Sequence, residues 1–326
     1  MKICFLDKTI FEYDDESLYS SNLRGAESVL INLSKALSKQ GHNITIINNC
    51  PKNKIKNKIR WINYQSNFNV ETYDLVISNG DCRMFKFAKS NRYLLFSHSI
   101  QSIEKFLRKN QLFSYLKYKP RICFLSEYHK KKRSKLLYLF GNINIEWSVD
   151  EIFLKAPMPS KLDNKFAIFP SKENRNQNLL IKVWKEFIFK ENNELKLLLN
   201  YKNENLEKFN IFNRNQSSQN DLLNELSRAR VFLIPGHQSE LFCLAAAEAR
   251  QMCIPIVTLG LGCLSERVEH GKTGFIAKNL KQFSDYTIQL FENDKLWNSM
   301  REYLFLTRSK SNWDLVAKKL INQLNV

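Results

Sequence analysis

Residues 231–274 read VFLIPGHQSELFCLAAAEARQMCIPIVTLGLGCLSERVEHGKTG. The run 231–234 is apolar and β-rich and stops at Pro235 and Gly236, which predicts a strand and then a turn. A helical pattern opens at Leu241 and continues through the alanine-rich segment 244–249, made of strong helix formers, before residues 255–259 predict a second buried strand. The unit is strand, loop, helix, strand.

Two carboxylates bracket this helix. Glu240 precedes its first turn and Glu248 follows about two turns later, roughly 12 Å along the axis. The free N–H groups of Leu241, Phe242, Cys243 and Leu244 would point out of a helix N-terminus, an end that suits a phosphate. A carboxylate beside a phosphate repels it, so Glu240 is better explained as accepting hydrogen bonds from neutral hydroxyls attached to that phosphate. Glu248 could take the hydroxyl pair of a ribose. Together they describe a nucleotide sugar. On spacing alone the plainer reading is favoured: Glu240 as an electrostatic cap and Glu248 as a solvated position.

Outward from this stretch the alternation of strand and helix recurs. Residues 2–6 predict a strand, 27–40 a helix with Val29, Leu30, Leu33, Ala36 and Leu37 on one face, and 43–47 the next strand. Residues 74–78, 93–96, 121–125 and 142–147 add four strands and complete a parallel sheet, with 126–140 as one connecting helix. Residues 155–165, with two prolines and no periodicity, read as the linker. A second sheet follows from strands at 166–170 and 195–199 and helices at 178–189 and 222–229. Helices near 280–291, 295–305 and 313–324 end the chain. At 326 residues and 44% apolar content the chain can bury two cores.

Pro235, Glu240, Phe242, Leu244, Glu248, Ala249, Pro255, Glu266, Gly271 and Gly274 resemble, in order, the C-terminal signature of the retaining GT-B glycosyltransferases of family four. That signature reads E-x-F-G-L-x-x-x-E-A, then G-x-P, then E-x-V-x-x-G-x-x-G. Cys243 and Cys253 stand where the family most often has glycine. The segment RGAESVL resembles the family's G-G-A-E turn, with Arg24 in place of the first glycine and Gly25 as the backbone that would approach substrate. His98, at the end of the strand 93–96, matches a histidine that similar enzymes carry near donor sugar and diphosphate.

The resemblance implies an α/β fold of GT-B type, two doubly wound Rossmann-like domains with parallel sheets facing a central cleft. Residues 1–157 would form the acceptor-side domain and 158–326 the nucleotide-sugar-binding domain, with the helix at about 312–324 crossing back to the first. It implies retaining transfer of a sugar from a nucleoside diphosphate sugar, a UDP-sugar favoured over a GDP-sugar, to a saccharide or lipid-linked acceptor in bacterial surface polysaccharide or lipopolysaccharide synthesis. No metal or other cofactor is expected. Lys172 and Arg175 would neutralise the diphosphate leaving group, although their spacing is shorter than the family's. Glu240 and His98 complete the catalytic set, and Glu248, Phe242, Cys243, Leu244 and Gly25 the nucleotide-sugar-binding set.

The formal charge of +18 calls for an acidic partner. Lysines cluster at 51–60 and 129–135, and an anionic membrane surface suits them. A basic nucleic-acid-binding protein is an alternative, though no recognisable nucleic-acid module appears. A catalytically silent GT-B partner subunit is another, motivated by Arg24, Cys243 and the shortened cation loop. No run approaches a membrane span and the first residues do not read as a signal peptide, so a cytoplasmic chain, peripheral on the inner face of the membrane, is expected. The seven cysteines show no C-x-x-C pair and read as reduced, mostly buried thiols. His42, His129 and His270 receive no chemistry, and His237 no defined role.

Overall fold

The computed structural model describes residues 1–20, 23, 25–100, 102–159, 165–171, 173–201, 205–214 and 218–324. It divides into two compact units, Met1–Ser148 with Ser311–Val326, and Val149–Lys310. The division falls before residue 157 because Asp150 caps helix Glu151–Lys155 and Phe153 is fully buried in the second unit.

In the first unit the strands are β1 (Lys2–Leu6), β2 (Asn43–Asn48), β3 (Lys54–Lys56), β4 (Ile59–Asn63), β5 (Leu75–Asn79), β6 (Tyr93–Phe96), β7 (Arg121–Phe124) and β8 (Asn142–Asn144). They lie in the order β3-β4-β2-β1-β5-β6-β7-β8, all neighbours parallel except β3 with β4. Ile3, Cys4, Phe5 and Leu6 are all 0% exposed, the mark of a parallel strand covered on both faces. The lysine cluster at 51–60 therefore holds an unexpected antiparallel hairpin, turning at Asn57 and Lys58 with φ of 53° and 62°. Lys54 of β3 lies 2.6 Å from Asp14 and 3.2 Å from Asp15, and Lys56 2.6 Å from Glu16, which pins the long acidic loop after β1.

Helix α1 (Gly25–Lys39) buries its predicted apolar face, and Gly41 ends it at φ 86°. Helices α2 (Ile103–Arg108), α3 (Leu112–Tyr118) and α4 (Glu127–Lys132) follow β6 and β7; α4 and a 3-10 turn, Lys135–Tyr138, replace the single helix read at 126–140. The C-terminal helix Trp313–Leu324 packs on α1, with Lys39 Nζ 2.7 Å from Asp314 and Gln40 donating to the Asp314 carbonyl at 2.7 Å.

The second unit is a six-stranded parallel sheet of β9 (Phe166–Phe169), β10 (Lys196–Leu199), β11 (Ile211–Asn213), β12 (Val231–Gly236), β13 (Ile256–Leu261) and β14 (Gly274–Ile276). Its order, β11-β10-β9-β12-β13-β14, is that of a doubly wound sheet whose direction of build reverses between β9 and β12. Helices α5 (Glu151–Lys155), α6 (Gln177–Val183), α7 (Gln219–Arg228), α8 (Leu244–Gln251), α9 (Leu280–Glu292) and α10 (Asp294–Leu306) cover it. Strand β12 runs through Pro235 instead of stopping there, with a register shift between Ile234 and Gly236 that accommodates the missing N–H. All seven cysteines are free and buried.

Candidate functional site

In the second unit the loops leaving β9 and β12 meet where the strand order reverses, the place at which open α/β sheets bind ligands. The β9 loop carries Arg175 and the β12 loop carries Glu240; Arg175 Nε lies 3.2 Å from Glu240 Oε1. Asn176, in the left-handed region at φ 62°, donates from Nδ2 to the Gly236 carbonyl at 2.6 Å and ties the two loops together. Lys172 lies outside the described residues.

Glu240 is 7% exposed. Its N–H donates to the His237 carbonyl at 2.9 Å, and its own carbonyl accepts from the Cys263 N–H at 2.9 Å. Burial pushes its carboxyl up, while Arg175, His237 and Cys243 pull it back. A buried carboxylate paired to a guanidinium is not the solvent-facing cap that spacing alone favoured. Gly262, which the sequence reading passed over, presses directly on this loop. At φ 71°, an added Cβ would stand 2.5 Å from the His237 carbonyl oxygen and 2.7 Å from that of Glu240.

Helix α8 starts at Leu244, three residues later than the apolar pattern suggested. Cys243 is its N-cap, with φ 58° and ψ 75°, and a left-handed residue there stops the helix from reaching back to Leu241. Of the backbone donors assigned to the nucleotide, Leu244 lies in the first turn, whereas Phe242 and Cys243 precede it. Phe242 instead packs under Arg267, whose guanidinium sits 4.2 Å above the ring and whose Nε donates to the Phe242 carbonyl at 3.0 Å. Glu248 follows Leu244 by about 6 Å of helix rise, and the roughly 12 Å expected between Glu240 and Glu248 assumed a helix through Leu241, Phe242 and Cys243, which are not helical. Cys253 is also left-handed, at φ 56°. Both positions favour glycine, and each cysteine costs about 1–2 kcal/mol by standing there.

Glu248 is 4% exposed, which removes the solvated reading. Burial pushes its carboxyl up to about 8, the Asp150 carboxylate adds to the rise, and Arg214 opposes it. Asp150 is fixed as the cap of α5, accepting from the Ile152 N–H at 3.1 Å, and Arg214 pairs with Glu225 at 2.9 Å. The second unit thus holds one carboxylate against a cation and another, deeper, whose proton is held chiefly by burial.

In the first unit Gly25 is the exposed first residue of α1, and Arg24 lies outside the described residues. His98 leaves β6 and bonds through Nε2 to Asn79 Oδ1 at the end of β5. The loop that bears it rests on a residue given no role from sequence, His129. This imidazole is 0% exposed; its Nε2 lies 3.1 Å from Ser97 Oγ and 3.3 Å from the Ser99 carbonyl, and its Nδ1 accepts from the Leu125 N–H at 3.4 Å. Burial pushes it down to about 3, so it stays neutral with its proton on Nε2. The available signal was Ser126, whose side chain caps α4 and sets His129 at the third position beside β6. His129→Leu is expected to cost about 1–3 kcal/mol by stranding these groups. His129→Gln, which keeps a donor, should recover part of both melting temperature and turnover; equal loss in the two variants would deny the hydrogen bonds that role.

A cavity of about 410 Å³ in the same unit is lined by Lys8, Thr9, Asn49, Tyr64, Asp81 and Arg83, among others, and so lies beyond the carboxyl ends of β1, β2, β4 and β5. The order of this sheet reverses between β1 and β5. Among the described residues no group of three or more His, Cys, Asp and Glu is placed to hold a metal. None of their helices is long and apolar enough to cross a membrane.

Residues 160–305 match the family described as glycosyl transferases group 1. Among solved structures, HepE of Anabaena in complex with UDP is similar with a TM-score of 0.71 at 14% identity, covering 100% of each chain. WaaG, a glycosyltransferase involved in lipopolysaccharide biosynthesis, gives 0.67 at 11% identity over 99% of each. A TarM mutant of S. aureus in complex with fondaparinux, α-GlcNAc-glycerol and UDP gives 0.58 at 16% identity over 77% of this chain. The present chain spans about half of TarM, 55% of its length. No curated protein matches the sequence. The fold is GT-B, and the match to glycosyl transferases group 1 falls in its second unit.

Proposed function

We propose that the chain is a retaining glycosyltransferase of family four, moving a sugar from a nucleoside diphosphate sugar to a saccharide or lipid-linked acceptor. The observation that carries this reading is the pair of buried carboxylates, Glu240 against Arg175 and Glu248 on α8, inside the segment that matches the family. In this reading Glu248 binds the ribose hydroxyls and Glu240 orients the donor sugar. Arg175, Lys172 and the first-turn N–H groups of α8 stabilise the charge that builds on the diphosphate, so no metal is needed. His98 would act on the donor sugar, as the resemblance implies, and the cavity beside Asp81 would hold the acceptor's hydroxyls. UDP and UDP-glucose in the HepE structures favour a UDP-sugar.

The WaaG similarity supports a place in lipopolysaccharide or other surface-polysaccharide synthesis. The pairing of Lys54 and Lys56 with carboxylates counts against a nucleic-acid role for the 51–60 cluster.

Donor hydrolysis and thermal shift against UDP-, GDP-, ADP- and CMP-sugars, with and without EDTA, test the proposal. One sugar nucleotide should stabilise the protein by mass action and be hydrolysed despite EDTA. Glu240→Gln should lower turnover about a hundredfold while nucleotide affinity changes little, since it acts on the transferred group. Tight nucleotide binding with no turnover of any donor would instead identify a silent partner subunit.

A further inference from the structure

Residues 103–139 hold eleven lysines and arginines and two carboxylates, Glu104 and Glu127, a net +9 that is half of the whole chain's +18. They lie in the first unit and include α2, α3, α4 and the 3-10 turn Lys135–Tyr138. Their inner faces fill one core: Phe106, Tyr115 and Leu137 are buried, with the Phe106 and Tyr115 rings 5.4 Å apart and those of Tyr115 and Phe140 5.0 Å apart. Their outer faces are apolar where solvent-facing helices are normally polar. Leu107, Phe113, Leu116, Leu136 and Leu139 are 56%, 77%, 48%, 64% and 64% exposed. Phe113 and Leu116, three residues apart, share one face of α3.

Along the chain these apolar residues are interspersed with exposed Arg108, Lys109, Lys117, Lys131, Lys132 and Lys135. The positive field there is poorly compensated. Burial, and then Lys109 and Arg108, push Lys105 down to about 8, and the Glu127 carboxylate reaches Lys130 only at 3.9 Å. At 51–60, by contrast, Lys54, Lys56 and Arg60 all have carboxylate partners.

We propose that this face of the first unit docks on an anionic lipid bilayer, its five apolar side chains entering the headgroup region and its lysines and arginines facing the lipid phosphates. The charge selects an anionic surface, and the apolar residues select one that can be entered. A nucleic acid would use the charge and leave the leucines in water. The proposal rests on the glycosyltransferase reading only in giving the membrane a purpose, the delivery of a lipid-linked acceptor.

The test is co-sedimentation of the full chain with vesicles of phosphatidylcholine alone and of phosphatidylcholine with phosphatidylglycerol, at low and high salt. Binding should require phosphatidylglycerol and weaken with salt. Phe113→Ser with Leu116→Ser, and separately Lys131→Glu with Lys132→Glu, should each lower it about tenfold, with melting temperature and donor hydrolysis unchanged. Absence of wild-type binding to phosphatidylglycerol vesicles, or wild-type binding by both variants, overturns the proposal. Donor hydrolysis without vesicle binding removes the docking face and keeps the enzyme, whereas vesicle binding without hydrolysis of any sugar nucleotide does the reverse.

Discussion

Gly262→Ala is expected to cost about 2–4 kcal/mol of stability and to lower turnover about a hundredfold. Two effects add. The backbone at φ 71° is strained for any side chain, and the new Cβ would lie 2.5 Å from the His237 carbonyl oxygen, 2.7 Å from the Glu240 carbonyl oxygen and 2.9 Å from Glu240 Cβ. Those atoms are backbone or next to it, so relief requires the whole 237–240 turn to move. Movement breaks the 2.9 Å bond from the Cys263 N–H and carries the Glu240 carboxylate away from Arg175. A displacement of about 1 Å at such a group is worth roughly two orders of magnitude in rate. Gly41→Ala separates strain from displacement. Gly41 has φ 86° with nothing within 4 Å of an added Cβ, so it should lose about 1 kcal/mol and no activity. If urea midpoints and turnover of the two variants moved together, the Glu240 loop would not be the site.

The second large effect has opposite signs for stability and binding. In the folded chain the Glu248 carboxyl is raised from 4.5 to about 8, so between those values the native state holds a proton that the unfolded chain has lost. Stability therefore falls as pH rises through that window. Glu248→Gln removes the titration, leaving a neutral side chain of the same shape at every pH. The variant should match the wild type near pH 4 and exceed it by on the order of 4 kcal/mol at pH 8, at about 1.4 kcal/mol per unit. Titrating groups common to both proteins, such as His129, cancel in the comparison. Above about pH 8, where Glu248 ionises, the same change should weaken nucleotide binding roughly ten- to a hundredfold, because a charged acceptor makes the stronger hydrogen bonds to hydroxyls. A pH-independent difference in melting temperature would show that Glu248 is ionised throughout.

Much of the fold was legible because its strands are continuous apolar runs. Residues 93–96 and 313–324 fall where the periodicity put them. The hairpin of β3 and β4 was missed because a lysine- and asparagine-rich stretch hides the alternation in Ile59–Asn63, whose register is set by parallel pairing with β2 and not by a local turn. The start of α8 was misplaced for a different reason. Phe242 continues the apolar pattern, and a hydrophobic period carries no information about the left-handed φ of Cys243. At the site, the resemblance drew attention to Glu240 and Glu248, but their electrostatic states depend on Arg175, Asp150 and Arg214, which only the fold brings near.

The seven buried sulfurs have a practical corollary. Burial raises every one of these thiols above the ordinary cysteine range, so almost no thiolate exists at neutral pH for an alkylating reagent to capture. Toward such reagents the native chain behaves as a cysteine-free protein. A single cysteine introduced at exposed Leu136 would be the one handle for a fluorophore or spin label, with no native residue to remove first. Unfolding frees Cys4, Cys50, Cys82 and Cys123 in the first unit and Cys243, Cys253 and Cys263 in the second, so the rate of thiol capture in denaturant follows each unit without any probe.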